Sequence, residues 1–160
     1  MASCQVPLRE ERARPNRKRI LKRITSYLLL RGFGLIELND VGVWQRAIGA
    51  VSSFISEGNF RFNDSGISLK AVDPSQIVLV NFSIGKAAFE RYKVEPMLVG
   101  VDLGEFSKIM SRAMPNDRLL MDLTDSELRV MLEGDLSRSF SLPLIDISEE
   151  EIKIPESKFD

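Results

Sequence analysis

The sequence has no histidine among its 160 residues. That absence removes the Ser-His and Cys-His nucleophile pairs, the usual zinc sites and the commonest general base near neutral pH. Carboxylate or lysine chemistry remains open, so catalysis is disfavoured rather than excluded. A single cysteine, Cys4, leaves no internal disulfide and no cysteine metal cluster, which fits a reducing cytosol. No run of about 18 apolar residues occurs, so no membrane-spanning helix is expected. The early stretch "SYLLL" (26–30) is far too short, and no apolar core with a cleavage site follows the basic start. What is present is ordinary for a soluble globular chain, 44% hydrophobic and 28% charged, and the length suits one domain with an extra arm.

Charge is unevenly placed. Residues 1–32 carry nine Lys or Arg against two Glu, a balance of +7, while residues 33–160 carry −8. The basic part contains "REERARPNRKRILKR" (9–23), a charge run interrupted by Pro15, and such runs stay solvated. Ile20, Ile24 and Leu28 recur every four residues, so a short helix over 19–30 is compatible with the spacing. Two readings of this arm stand. One is a nucleic-acid or membrane-surface arm. The other, which the pattern favours, is a disordered extension or a stretch translated ahead of the true start.

From Phe33 the pattern becomes dense. "GLIEL" predicts a strand, and Asn39 or Asp40 is placed to cap a helix by accepting from its free N–H groups. Trp44, Ile48, Val51 and Ile55 form one apolar stripe at helical spacing, and Gly58 is expected to end that helix. "NFRFN", "DSG" and "GISLKAVD" predict a hairpin turning at Ser65-Gly66. After a tight Asp-Pro-Ser turn, "QIVLVNF" continues as a strand, and "AFERYKV" and "MLVGVDL" are two more. A second helix is expected over about 103–114, with Phe106, Ile109, Met110 and Ala113 inward and Ser107, Lys108, Ser111 and Arg112 outward. "RLLMDL", "ELRVMLEG" and "LSRSFSLP" complete the strands. The order strand, helix, strands thus occurs twice, about 65 residues apart. It predicts an α+β fold with largely antiparallel sheets and both helices on one side of a sheet formed by both halves. The end, "IDISEEEIKIPESKFD", is acidic, carries Pro155 and reads as a linker.

Candidate chemistry is sparse. Glu149, Glu150 and Glu151 cluster, but on a linker that would not hold catalytic geometry. Asp122 with Asp125 suits a turn as well as a metal. Val72, Ile77 and Leu79 surround Asp73, and composition alone leaves open whether they are sheet core or an apolar surface.

Four stretches carry a resemblance: "GISLKAVDPSQIVLV" (66–80), "GVDLGEFSKIM" (100–110), "FSLPLIDI" (140–147) and "IKIPE" (152–156). In this order and spacing, residues 33–160 resemble the first domain (33–144) and interdomain connector (145–160) of the archaeal and eukaryotic sliding clamp, proliferating cell nuclear antigen. The resemblance implies a DNA-clamp fold in which chains with two such domains close a ring around duplex DNA, helices inside and sheets outside. It implies no catalysis and no cofactor. The implied role is a polymerase processivity factor that tethers replication and repair proteins and is opened by a separate ATP-driven clamp loader. Localisation would be cytoplasmic and nucleoid-associated in a prokaryote, nuclear in a eukaryote.

The resemblance also implies sites. The helix faces toward DNA would offer Arg46, Lys108 and Arg112, contacting phosphates without reading sequence. Lys108 and Arg112 are placed one helical turn apart on one face, and Ser52 and Ser111 stand where lysine is common in the family. Client peptides with apolar and aromatic anchors would enter a pocket formed by Val72, Asp73, Gln76, Ile77 and Leu79, and by Ile152, Ile154, Pro155 and Phe159 from the connector. Arg138, Phe140 and Leu142 would lie at the subunit interface. The family's second domain has no counterpart in this sequence. The explanations, in order of preference, are a fragment, one half of a split clamp completed by another chain, and self-assembly of single domains. A client-peptide-binding module that never closes on DNA is the alternative function.

Overall fold

The computed structural model describes residues 34–148. The basic arm, the Glu149–151 cluster and the connector residues Ile152, Ile154, Pro155 and Phe159 lie outside the described residues. In chain order the elements are β1 (Gly34–Leu38), α1 (Val41–Ser52), β2 (Glu57–Asn63), β3 (Gly66–Val72), β4 (Leu79–Gly85), β5 (Arg91–Val94), β6 (Met97–Asp102), α2 (Leu103–Met110), β7 (Arg118–Leu123), β8 (Glu127–Glu133) and β9 (Ser137–Pro143). Among the described residues there is one 3-10 turn, Lys86–Ala88, and it takes up Ala88, the first residue of the strand expected over 88–94, which begins instead at Arg91.

The repeat is real, but it does not build one sheet. Two antiparallel sheets form, ordered β5-β1-β7-β8-β9 and β4-β3-β2-β6. Each half lends its first strand to the other: β1 pairs with β7, and β6 pairs with β2. The exchange ties the halves into one apolar core, because neither sheet is complete without a strand from both. Trp44 of α1 sits at the centre of this core. Its ring lies 5.8–6.4 Å from those of Phe60, Phe82, Phe89 and Phe106, which come from β2, β4, the loop before β5 and α2. Such ring pairs add about 0.5–1.5 kcal/mol each beyond their burial.

Local chemistry explains the element ends, and three expectations are corrected. Of the two expected caps it is Asp40 that caps α1, accepting from Gly42 N–H at 2.8 Å. Helix α1 stops at Ser52 because the Ser52 and Ser53 hydroxyls both donate to the Gly49 carbonyl and compete with the backbone ladder. Gly58 does not end it. Gly58 lies inside β2, where a Cβ would press on Leu69 and Leu103. The first hairpin turns at Asp64-Ser65 rather than Ser65-Gly66, since Asn63 Oδ1 accepts from the N–H groups of Ser65 and Gly66. Gly66 opens β3 at φ +142°, a conformation that favours glycine. Helix α2 ends at Met110, four residues early. Pro115 disfavours helical backbone at Met114, whose N–H instead donates to the buried Asp117 carboxylate at 2.7 Å.

Candidate peptide site and helix face

The β3–β4 connection is longer than a tight turn. Val72 pairs with Leu79, which leaves the six residues 73–78 as a loop. Asp73 organises it. Its carboxylate accepts from the N–H groups of Ser75 (3.2 Å), Ile77 (2.8 Å) and Val78 (2.6 Å), and from the Ser75 hydroxyl. Its backbone carbonyl accepts from Gln76 N–H, and its N–H donates to the Val78 carbonyl. The Ser75 hydroxyl and then the Val78 amide stabilise the ionised form, holding Asp73 below the usual carboxylate range. Gln76 takes φ +58°, uncommon for a side-chain-bearing residue, and this aims the chain so that Ile77 is 82% exposed.

Alternation along the hairpin decides what Val72 and Leu79 are. Ile67, Leu69 and Ala71 turn inward with Val80, Phe82 and Ile84, while Val72 and Leu79 fall on the opposite face, 36% and 42% exposed. They are therefore not sheet core. Val72, Ile77 and Leu79 make an apolar patch rimmed by Asp73, Lys70, Asn81 and Gln76, the kind of surface that serves a partner.

The chain leaving β9 is seated on the same sheet. Ile145 N–H donates to the Gly100 carbonyl at 3.0 Å, forming an antiparallel bridge at the edge of β6. Asn59 Nδ2 donates to the Ile147 carbonyl at 3.1 Å. A Cβ at Gly100 would collide with the Ile145 carbonyl oxygen. Neither Asn59 nor Gly100 was singled out by sequence. The signal was a glycine inside a strand, which marks a close approach of another backbone.

The helix face carries less free positive charge than the residue count suggests. Arg46 is exposed on α1, but Val43, Ala50 and Phe54 are exposed beside it. Lys108 is paired with Glu105 at 2.6 Å, and that hydrogen bond and charge raise the ammonium above its usual pKa. Arg112 is not on α2 with Lys108. It follows the Ser111 cap, its N–H donates to the Ile109 carbonyl at 3.1 Å, and its guanidinium lies 5.8 Å from the Phe140 ring centroid.

That contact joins two sets of residues that the sequence kept apart. A groove of about 360 Å³ between α2 and β9 is lined by Glu105, Lys108, Ile109, Arg112, Phe140 and Leu142. Arg138, Phe140 and Leu142 share the inward face of β9. Leu142 is only 4% exposed and packs into the core of this chain. Arg138 donates to the Arg112 carbonyl and pairs with buried Asp117. What β9 presents outward is its backbone edge, because its one partner strand among the described residues is β8. Strand β4 likewise has a single partner, β3. No cluster of three or more potential metal ligands occurs among the described residues, and Asp125 does not join Asp122 in one. No helix among them is long and apolar enough to cross a membrane.

Comparison with known proteins fits this geometry. Residues 35–151 match the family described as "Proliferating cell nuclear antigen, N-terminal domain". The chain is 38% identical over 114 residues to DNA polymerase sliding clamp 1 of Thermococcus kodakarensis, covering 70% of this chain and 46% of that one. It is 34% identical over the same length to the DNA polymerase sliding clamp of Pyrococcus furiosus. A crystal structure of PCNA from Thermococcus kodakaraensis superposes with a TM-score of 0.74 at 32% identity, covering 78% of this chain and 51% of that one. The PCNA2-PCNA3 complex from Sulfolobus tokodaii superposes with a TM-score of 0.72 at 26% identity, covering 79% and 51%. The chain thus spans about half the length of the relatives it matches. With two strand-exchanged sheets, two core-packed helices and this match, the chain belongs to the proliferating cell nuclear antigen family, through its N-terminal domain.

Proposed function

We propose that this chain is a subunit of a sliding clamp, a non-enzymatic processivity factor that encircles duplex DNA and tethers a polymerase and other clients through short peptides with apolar and aromatic anchors. One observation carries the reading: an Asp73-ordered loop holds Ile77 in solvent beside the outward-facing pair Val72 and Leu79. A fold that leaves three large aliphatic side chains together in water has kept a docking surface. The edges of β4 and β9 supply backbone groups for joining another copy or another clamp-domain chain, since unpaired edges invite strand addition. A clamp loader would open such a ring, no cofactor is needed to hold it, and it would reside with the replicating DNA, in a nucleoid or a nucleus.

The second reading is a client-binding module that does not close on DNA. The Glu105–Lys108 pair and the placement of Arg112 against Phe140 favour it, because they reduce the charge available to phosphates. Loading onto nicked circular DNA separates the two. A clamp is retained on the circle and slides off when it is cut, and light scattering finds a ring-sized oligomer. Peptide binding with a monomeric mass and no topological retention would establish the module instead.

A further inference from the structure

The β3–β4 hairpin outruns its neighbour. Pairing between β2 and β3 stops at Phe60 and Leu69, whereas β3 and β4 stay paired three residues further, to Val72 and Leu79. Residues 70–72 and 79–81 therefore form a two-stranded arm that ends in the Asp73 loop. Ala71 and Val80 take its inner face, so its outer face holds two rows. Val72 stands beside Leu79 next to the loop, and Lys70 stands beside Asn81 one row back. Two residues of extended strand separate the rows, about 7 Å. The polar row is exposed and uncommitted. Among the described residues Lys70 makes no ion pair and the Asn81 side chain makes no hydrogen bond. The carboxylate on the same arm, Asp73, has both oxygens taken by donors of its own loop, so it does not hold Lys70.

We propose that Lys70, with Asn81 beside it, determines which peptides the site accepts: it selects an acidic flank, an Asp or Glu next to the anchors, and so fixes the direction in which the peptide lies. The proposal rests on the peptide-docking reading above. An ammonium and an amide NH2 side by side offer a carboxylate two kinds of donor, one of them charged. An anchor seated on Val72 and Leu79 brings the flanking residues at one of its ends to this row. At the other end stands the loop 73–78, which contains no cation and whose one acid is already satisfied. The two ends of the patch thus differ in charge, and a peptide with one acidic end fits in one direction only. The preference has to be local, because residues 33–160 carry −8 and repel an acidic ligand at longer range. A single unpaired cation at the border of an apolar pair therefore discriminates between peptides that share the same anchors.

The test uses the full chain and three labelled ten-residue peptides that share one aliphatic and two aromatic anchors on a helical turn. One has neutral flanks, one has Asp-Glu before the anchors and one has Asp-Glu after them. One acidic peptide should bind about fivefold tighter than the neutral peptide, the factor that an exposed charged contact implies, and the other should not. The gain should shrink in about 0.5 M salt, which screens exposed charges. Asn81→Ala should reduce it. Lys70→Gln should bind all three peptides alike, and Lys70→Glu should instead prefer a peptide carrying Lys-Arg at the favoured end. Equal affinity of the parent for all three, an equal gain at both ends, or a preference that survives in Lys70→Gln overturns the proposal. A gain unchanged in Asn81→Ala takes Asn81 out of the contact. Loss of all binding in Ile77→Asp in the same series shows that the pocket stands even where the Lys70 role fails. If the parent chain binds none of the peptides, the docking reading falls and takes this inference with it.

Discussion

Val72 and Leu79 stand opposite each other at the loop end of the β3–β4 hairpin, and both turn away from the core. Their neighbours in sequence, Ala71 and Val80, turn into it. Two large aliphatic side chains thus remain in water although buried positions lie one residue away on each strand, so the patch reflects the register and not a shortage of core.

Ile77 extends that patch, and its exposure makes it a clean target. Ile77→Asp should abolish binding of an apolar-aromatic peptide, a loss of at least about tenfold, because a carboxylate would have to be desolvated against apolar anchors. The unfolding midpoint should not change, since the side chain is 82% exposed. Calorimetric titration with parallel thermal melts checks both, and undiminished affinity would remove Ile77 from the site.

The Asp73 loop should respond to acid. The Asp73 carboxyl is held below its ordinary range by its hydrogen bonds to Ser75, Val78 and Ile77. A depressed carboxyl favours the folded loop at every pH above the ordinary carboxylate range, and the effect is lost as pH falls through the lowered value. Amide exchange at Ile77 and Val78 should therefore stay slow at neutral pH and quicken only in strong acid. Asp73→Asn should show fast exchange at all pH values. Protection that is the same in Asp73→Asn and the parent would contradict this role.

Glu105 limits how much unpaired positive charge α2 carries. Glu105→Gln removes the partner that holds Lys108 at 2.6 Å. If the face meets phosphates, DNA affinity should fall more steeply with salt, by up to about 0.9 in log–log slope per new contact. Lys108→Ala should change little in the parent background, because that lysine is already paired. Identical salt slopes for all three proteins would take Lys108 off the DNA path.

Asp122 offers a stability test away from both sites. It lies on the outer face of β7, with Arg129 opposite on β8 at 3.9 Å. Burial raises its pKa, and the Arg129 charge offsets this only in part. A carboxyl whose folded pKa is raised destabilises the fold at neutral pH, and the effect disappears as pH drops below the ordinary carboxylate range. Asp122→Asn should therefore raise the melting temperature at pH 7, with the gain vanishing in acid. A lower melting temperature at pH 7 would mean that the Arg129 interaction dominates.

Much of the architecture was legible along the chain. The stripe of Trp44, Ile48 and Val51 marks α1 because an apolar residue every three or four positions has one buried face to offer. Alternation marks β3, β8 and β9 for the same reason at period two. The serine-rich outward side of β9 even shows which way Arg138, Phe140 and Leu142 point. Less legible were the loop at 73–78 and the end of α2. Asp-Pro-Ser suggests a tight turn, yet the Asp73 carboxylate reaches Ile77 and Val78, and a local motif does not reveal how far an acceptor will reach. Lys108 and Arg112 looked like one face, but the helix ends at Met110 and the Arg112 N–H turns to the Ile109 carbonyl instead of continuing the ladder.

The kinds of element, their doubled order and the family likeness all follow from patterns within a few residues, where periodicity and capping act. Three other matters depend on partners far along the chain. Strand exchange between halves requires β1 to meet β7 and β6 to meet β2. The exposure of Val72 and Leu79 depends on the register of a hairpin whose loop an acidic side chain holds open. The seat of the connector needs Asn59 to find the carbonyl of Ile147, 88 residues later. No local rule specifies such pairings, because each gains its free energy only once the whole core has closed and brought the partners within hydrogen-bonding distance.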